Sequence, residues 1–550
     1  MSVRSVRDNW RTLLPLACIL ILAAALRLVG LRWGLPNELH SYSYHPDEFL
    51  ILGAAFFVYL NRSLDTKLYN YPSLYIYLCT IAIAVTIAYG LSNSPDGVYL
   101  SARAITVTMA VGAVAATYWA GREFFGKAQG LLAALIISVA PLHVQHSHFA
   151  TVDVPSTLFI ALSLGYAALV YKRGNWRDYI WAGIMTGLAA GTKYNAVIVV
   201  FSVITAHFLR AKLNRSSILS GKLWASLGCV IATFLISTPG CILHTNEFIH
   251  GLTYEMKHVS SGHGLVFAGT GNGFIYTFTN SLISGLGPPL ALAFLIAIIA
   301  AIAKRDKQAL IVLAFAVPYY ALISLSQVRF ARYTLPMYPA IAILCGWLMC
   351  RWWDGLKGNP LLNVGRWICG AFCVGAIFYA LLFSTLLDIL FVLPTPQDCA
   401  ARWIFNHVPK QSSIGMIDMP WFYSPPLTKD FGFGTLPQRE AAITKTPYNI
   451  VVFSGYNKPG EWYSQSAPDW VIVSEYETRD ALRLRNNKNL TKDQMAQVES
   501  TLADLKMIKD HYAMRAAYGG MWDGLELYTE NLPHDMRYVS PEITIYERKK

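Results

Sequence analysis

Apolar residues in this chain come in runs of about twenty, separated by short polar connections, as far as residue 392. Twelve such runs lie at about 12–34, 72–92, 99–119, 128–145, 155–171, 178–192, 194–210, 222–243, 276–303, 308–325, 335–350 and 367–391. A helix of about 20 residues covers the roughly 30 Å hydrocarbon layer of a bilayer, so the pattern predicts a polytopic α-helical membrane domain over residues 1–393. From Pro394 the pattern changes. "YNIVVF" and "DWVIVS" are strand-like runs, "KDQMAQVESTLADLKMI" reads as helical and "EITIYER" closes as a strand, which predicts a small α/β domain over 394–550.

Composition agrees: 54% of residues are hydrophobic and 14% charged, against about 25% charged in soluble proteins. The formal charge of +12 would suit nucleic acid if it formed a patch. Instead the basic residues sit in short loops: Arg4, Arg7 and Arg11; Arg122 and Lys127; Lys172, Arg173 and Arg177; 210–222; Lys304, Arg305 and Lys307; and Arg351, Lys357 and Arg366. All six loops fall on the cytoplasmic side, as the positive-inside bias asks, only if one run does not cross. The run "YPSLYIYLCTIAIAVTIAYGL", with Tyr75 and Tyr77 near its start, suits a helix lying in the outer interface. That leaves eleven spans, a cytoplasmic N-terminus with an uncleaved first span, and an outer C-terminal domain; the cell membrane is the expected location. The nine cysteines include only Cys399 beyond residue 393, so no disulfide can form within that domain.

This topology gathers an unusual polar set on the outer face. Asp47 and Glu48 of "HPDEF" share it with Asp153 of "HFATVDVPS", Lys193 of "GTKYN", and Arg329 and Arg332 of "SQVRFARY". Each has a bland reading: an acid behind Pro46 or before Pro155 is an ordinary helix start, and long cations snorkel. Their shared side points to chemistry, because the outer cations run against the positive-inside trend. The loop 244–275 adds His244, Glu247, His250, Glu255, His258 and His263, with His250, Tyr254 and His258 on one face of a helix. A metal is conceivable there, or at His146, His148 and Asp153, but zinc-ligand spacing is missing; a divalent metal is not favoured and no cofactor is certain.

"HPDEF", "ARAITVTMA" with Arg103, "REFFGKAQGLLAALI", "HFATVDVPSTLF", "GLAAGTKYNA" and "RFARYTLPMYPAIAIL" occur in that order across residues 12–350. The ordered set resembles the GT-C membrane glycosyltransferases, in the branch of protein O-mannosyltransferases and the lipid A aminoarabinose transferase. The resemblance implies a sugar taken from a polyprenyl-phosphate carrier and passed, with inversion, to an acceptor lipid, glycan or protein. It implies Asp47 as the base with Glu48 beside it, and Asp153, Arg103, Lys193 and Arg332 lining the site. His45, Tyr194, His258 and Arg329 complete the candidate substrate-binding set. The segment "YNYPS" and the histidine-rich loop depart from the family pattern.

The chemistry fits these residue types. A site on the outer face lacks nucleotide sugars, so a lipid-anchored donor is the natural solution. Its phosphate leaving group gains charge that preorganised Arg and Lys stabilise, while a carboxylate takes the acceptor's proton. The rivals are a secondary transporter, for which paired half-repeats and intramembrane acids are wanting, and a receptor whose outer domain binds.

Overall fold

The computed structural model describes residues 3–92, 94–355, 363–520 and 532–550; Lys357 of the last basic loop lies outside them. The chain opens with α1 (Val3–Leu28), α2 (Glu48–Asn61), α3 (Leu74–Ala88) and α4 (Pro95–Phe125), followed by α5 (Lys127–Ser138) and α6 (Pro141–His146). Next come α7 (Asp153–Lys172), α8 (Trp176–Thr192), a 3₁₀ turn (Tyr194–Val199) and α9 (Val200–Ala211). Among the described residues seven helical stretches are long and apolar enough to cross a membrane: Pro95–Phe125, Asp153–Lys172, Tyr194–Ala211, Arg215–Ser237, Lys307–Leu325, Ala331–Gly355 and Val364–His407. The protein is an integral membrane protein.

Two of the expected spans are broken. The run 128–145 divides into α5 and α6, where Pro141 lacks the N–H that would continue the helix. The run 276–303 divides at Gly287, whose φ of 88° precedes Pro288. Length alone therefore does not reach eleven.

The helix ends fall into two sets. At one end, Lys172 donates to the carbonyl of Glu123, Arg210 to those of Tyr171 and Lys172, and Lys222 to that of Gly174; these are basic loops. At the other end lie the acids. Both flanks of α3 belong there: Ser73 N–H donates to Thr238 Oγ1 (3.4 Å), just past helix Gly221–Ser237, and Asp96 faces Arg32 at 3.6 Å, just past α1. Both ends of α3 thus lie at the same end of the bundle.

α8 carries Gly183, Gly187 and Gly191 on one face. A Cβ at Gly183 would lie 2.2 Å from the Ser226 carbonyl oxygen, and one at Gly187 2.7 Å from that of Val230. Small residues let the two helices approach at backbone distance, which fixes where the end of α8, and hence Lys193, stands.

Beyond Asn363–Val392 the described residues form a five-stranded sheet in the order β2-β1-β3-β5-β4, with β1 Ser413–Met416, β2 Asn449–Val452, β3 Trp470–Ser474, β4 Tyr512–Tyr518 and β5 Ile543–Arg548. β2, β1 and β3 are parallel, while β5 and β4 are antiparallel. The segment before β5 meets the preceding part of the chain through side chains. Trp33 Nε1 donates to the carbonyl of Val539 (3.0 Å) and Gln145 Nε2 to that of Met536 (2.9 Å).

Candidate active site

The polar residues of "HPDEF" part company. Glu48 starts α2 and is completely buried. Its Oε1 receives Arg103 Nε at 2.8 Å and the Ala150 N–H at 2.6 Å; its Oε2 receives Arg103 Nη2 at 2.7 Å and the Ser43 hydroxyl. Arg103 gives its other donors to the carbonyls of Leu31 (2.8 Å) and Trp33 (2.7 Å) and to Ser43 Oγ (3.1 Å). A guanidinium has five N–H donors, and here all five are committed. Glu48 and Arg103, expected as a catalytic and a substrate-binding residue, are bound to one another here, and the pair ties the segment before α2 to α4 and to the approach to α7.

Asp47 occupies the N-cap position of α2, yet its side chain makes no capping hydrogen bond. It turns instead to Arg332, Oδ2 to Nη2 at 3.1 Å. Burial pushes the Asp47 carboxyl above its usual range; Arg332 opposes this, and Asp153 and Asp535 add to it. His45 supports the turn by accepting the Asp47 N–H at Nδ1 (3.2 Å), which places its ring proton on Nε2. Burial, with His146, Arg332 and Arg103 nearby, holds this histidine well below its usual range and so neutral.

Arg332 sits in the 3₁₀ turn Ala331–Met337, its guanidinium 4.0 Å over the Phe330 ring. Lys193 ends α8 in extended conformation, donates a hydrogen bond to Asp153 Oδ1 and lies 5.0 Å above Tyr333. Asp153 opens α7. Two cation–carboxylate pairs, Arg332 with Asp47 and Lys193 with Asp153, are thus brought together from four segments.

Arg332, Lys193 and Asp153 border a cavity of about 230 Å³ also lined by Glu255, Tyr71, Tyr194 and Tyr333, with a largely apolar remainder from Leu252, Met256, Val259, Leu322 and Ile323; Asp47 adjoins it only through Arg332. Leu322 and Met256 are also exposed on the outer surface of the helices. Tyr194 also faces this cavity, its hydroxyl donating to the Tyr69 carbonyl (2.9 Å).

Other expected residues stand elsewhere. The loop 244–275 is helical over Thr245–Ser261, but the face turned to the cavity carries Leu252, Glu255, Met256 and Val259. His258 stacks instead on Tyr254 and meets His263 edge-on, with ring centroids 5.4 Å apart. Arg329 donates to Ser326 O, Thr270 Oγ1 and Gly271 O, which pins the loop at 270 and keeps it off the cavity. His148 donates from Nε2 to the Val29 carbonyl (2.7 Å) and stacks on Phe391, away from Asp153. Among the described residues no three His, Cys, Asp or Glu side chains converge as metal ligands.

Asp535 was not legible from the sequence. It belongs to the C-terminal part, is completely buried, accepts the backbone N–H groups of Ala331 (3.0 Å) and Arg332 (2.9 Å), and lies 3.7 Å from Arg332 Nη1. Nothing in "NLPHDMRY" separates it from a surface acid. A second cavity of about 350 Å³ is lined by polar side chains including Asn280, Glu475, Arg483, Asn487 and His534.

Residues 96–241 match the family described as dolichyl-phosphate-mannose-protein mannosyltransferase. The chain resembles ArnT from Cupriavidus metallidurans in the apo state (15% identity over 88% of this chain and 96% of that one, TM-score 0.53) and bound to undecaprenyl phosphate (14%, 98% and 98%, TM-score 0.51). It also resembles the Archaeoglobus fulgidus oligosaccharyltransferase in the apo form (13%, 98% and 89%, TM-score 0.53). The fold is that of the GT-C glycosyltransferases. Among curated protein sequences none matches this chain.

Proposed function

We propose that this protein transfers a sugar from a polyprenyl-phosphate carrier to an acceptor hydroxyl or amine at the outer face of the membrane, with inversion. One observation carries the reading. Arg332 and Lys193 stand at the polar end of a cavity whose remaining wall is mainly apolar and continuous with the outer surface of the helices. A phosphate joined to a long hydrocarbon has that same division of polarity. Structural similarity to ArnT, seen bound to undecaprenyl phosphate, supports the carrier class.

In the reaction the anomeric C–O bond to the phosphate breaks and a bond to the acceptor forms on the opposite face. Charge accumulates on the departing phosphate, where Arg332 offers a planar pair of donors and Lys193 a point charge in a site shielded from bulk water. Asp47 takes the proton leaving the acceptor. Its raised proton affinity makes it a better base than an exposed aspartate, and such a step typically contributes about 10²- to 10⁴-fold. Asp153 holds Lys193 in place. The second, polar cavity shares the 534–535 segment with the site and suits a hydroxylated acceptor.

Binding of a short polyprenyl monophosphate to the purified protein tests this reading. Binding should exceed that of the matching polyprenol by well over tenfold, and the preference should vanish in Lys193→Ala and Arg332→Ala. Equal affinity for the phosphate and the alcohol in the native protein would overturn it.

A further inference from the structure

Asp535 holds the turn that carries Arg332. The first N–H groups of a helical turn have no partner within it, and those of Ala331 and Arg332 open the 3₁₀ segment Ala331–Met337. Each is taken by a different oxygen of one carboxylate, Ala331 by Oδ1 and Arg332 by Oδ2. Oδ2 also faces the Arg332 guanidinium at 3.7 Å. The same acid lies 3.9 Å from His146 Nε2, and neither ring nitrogen of His146 has a protein hydrogen-bond partner. A fully buried carboxylate that spends both oxygens on two consecutive backbone groups fixes where the following side chain begins. It then shares that side chain's charge with Asp47, the other acid on Arg332.

We infer that Asp535 is a positioning residue of the transfer site, so that the C-terminal part completes the active site rather than only standing beside it. The inference rests on the proposed role of Arg332 in phosphate recognition. Its chemistry is specific to a carboxylate. An amide has one acceptor oxygen and an NH₂ group, so in either orientation Asp535→Asn sets an N–H against one of the two backbone N–H donors. The turn must move, and Arg332 with it. The charge also reaches Asp47. Asp535 and Asp153 favour its protonated form, Arg332 and Lys193 its ionised form, while His45 and Tyr71 pack around it as neutral groups. Removing the Asp535 charge leaves Arg332 to Asp47 alone.

The test is a double-mutant cycle on polyprenyl monophosphate binding, using the full-length protein in detergent or nanodiscs. Asp535→Asn should weaken binding by at least tenfold. The double variant Asp535→Asn/Arg332→Ala should be no weaker than Arg332→Ala alone, since an effect that acts through Arg332 cannot be lost twice. In transfer assays on cell membranes, the acid limb of the rate profile should move to lower pH in Asp535→Asn. If that variant does not fold, Asp535→Glu replaces it: it keeps charge and acceptors one methylene out of place, and a smaller loss that again disappears on the Arg332→Ala background is expected. Additive losses in the cycle, or native binding in Asp535→Asn where Arg332→Ala loses it, would overturn the inference. Failure of the native protein to bind the phosphate would instead overturn the proposed function.

Discussion

Asp47 stands at the N-cap of α2 and yet spends its carboxylate on Arg332, 3.1 Å away, rather than on its own helix. The helix-start reading of "HPDEF" predicts the opposite, because a capping aspartate satisfies orphan N–H groups of the first turn. The residue is where a cap would be and does something else.

The pairing makes Arg332 the first residue to test. Arg332→Ala should abolish most of the carrier preference, while Arg332→Lys should restore charge without the paired donors and recover only part of it. Carrier affinity of the two variants, measured beside their thermal stability, checks this. Equal recovery by lysine would mean that Arg332 acts as a charge alone.

Glu48 and Arg103 should behave as structure. Arg103→Ala strands a fully buried carboxylate, and removing one partner of a buried pair costs about 3–5 kcal/mol, so this variant should express poorly or melt far below the native protein. Native stability with lost transfer in Arg103→Ala would return that arginine to the substrate.

The acidity of Asp47 has a sign in two measurements. Its folded pKa is raised by burial against the pull of Arg332, so as pH falls through it the base is protonated and transfer declines, in a range above the ordinary aspartate value of about 3.9. Stability runs the other way. The folded state holds this proton more tightly than the unfolded chain, so as pH rises from the unfolded to the folded pKa, the native protein loses stability relative to Asp47→Asn. Melting temperature against pH for the two proteins checks the sign; parallel curves would show that Asp47 has no raised pKa.

Sidedness is tested by single cysteines at Ser94 and Gly126 in a background without reactive native thiols. Ser94 should label from outside intact cells and Gly126 only after permeabilisation. The reverse pattern, Gly126 labelled from outside and Ser94 only after permeabilisation, would make α3 a membrane-crossing helix, and labelling of both from outside would contradict the eleven-span topology.

Much of this was legible in the sequence, and for physical reasons. Span-length apolar runs marked the helical part, and the placement of basic loops favoured an α3 that returns to the side it left. The strands at 449–452, 470–474 and 543–548 were visible because their β-branched residues form continuous runs. β1 and β4 were not: "SIGM" is too short to show a period, and "YAMRAAY" is half alanine and polar. Which outer charges share a site was also only partly visible. Arg329 and Arg332 are equivalent as letters, but three residues of a 3₁₀ approach send one to the loop at 270 and the other to Asp47. Asp535 could not be found, since its meaning lies in two backbone N–H groups some two hundred residues away.

The central claim, that Asp47 takes a proton during sugar transfer, is tested most directly by mass analysis of native glycoconjugates from cells carrying the native protein, no protein, or Asp47→Asn. Asparagine keeps the size of the side chain and its position at the start of α2, but cannot accept the proton. One saccharide unit should be missing without the protein and should stay missing, or fall by roughly 10²-fold or more in rate, with Asp47→Asn, even though the purified variant folds and binds polyprenyl monophosphate. Full restoration of that unit by Asp47→Asn would contradict the account and leave the proton to another group.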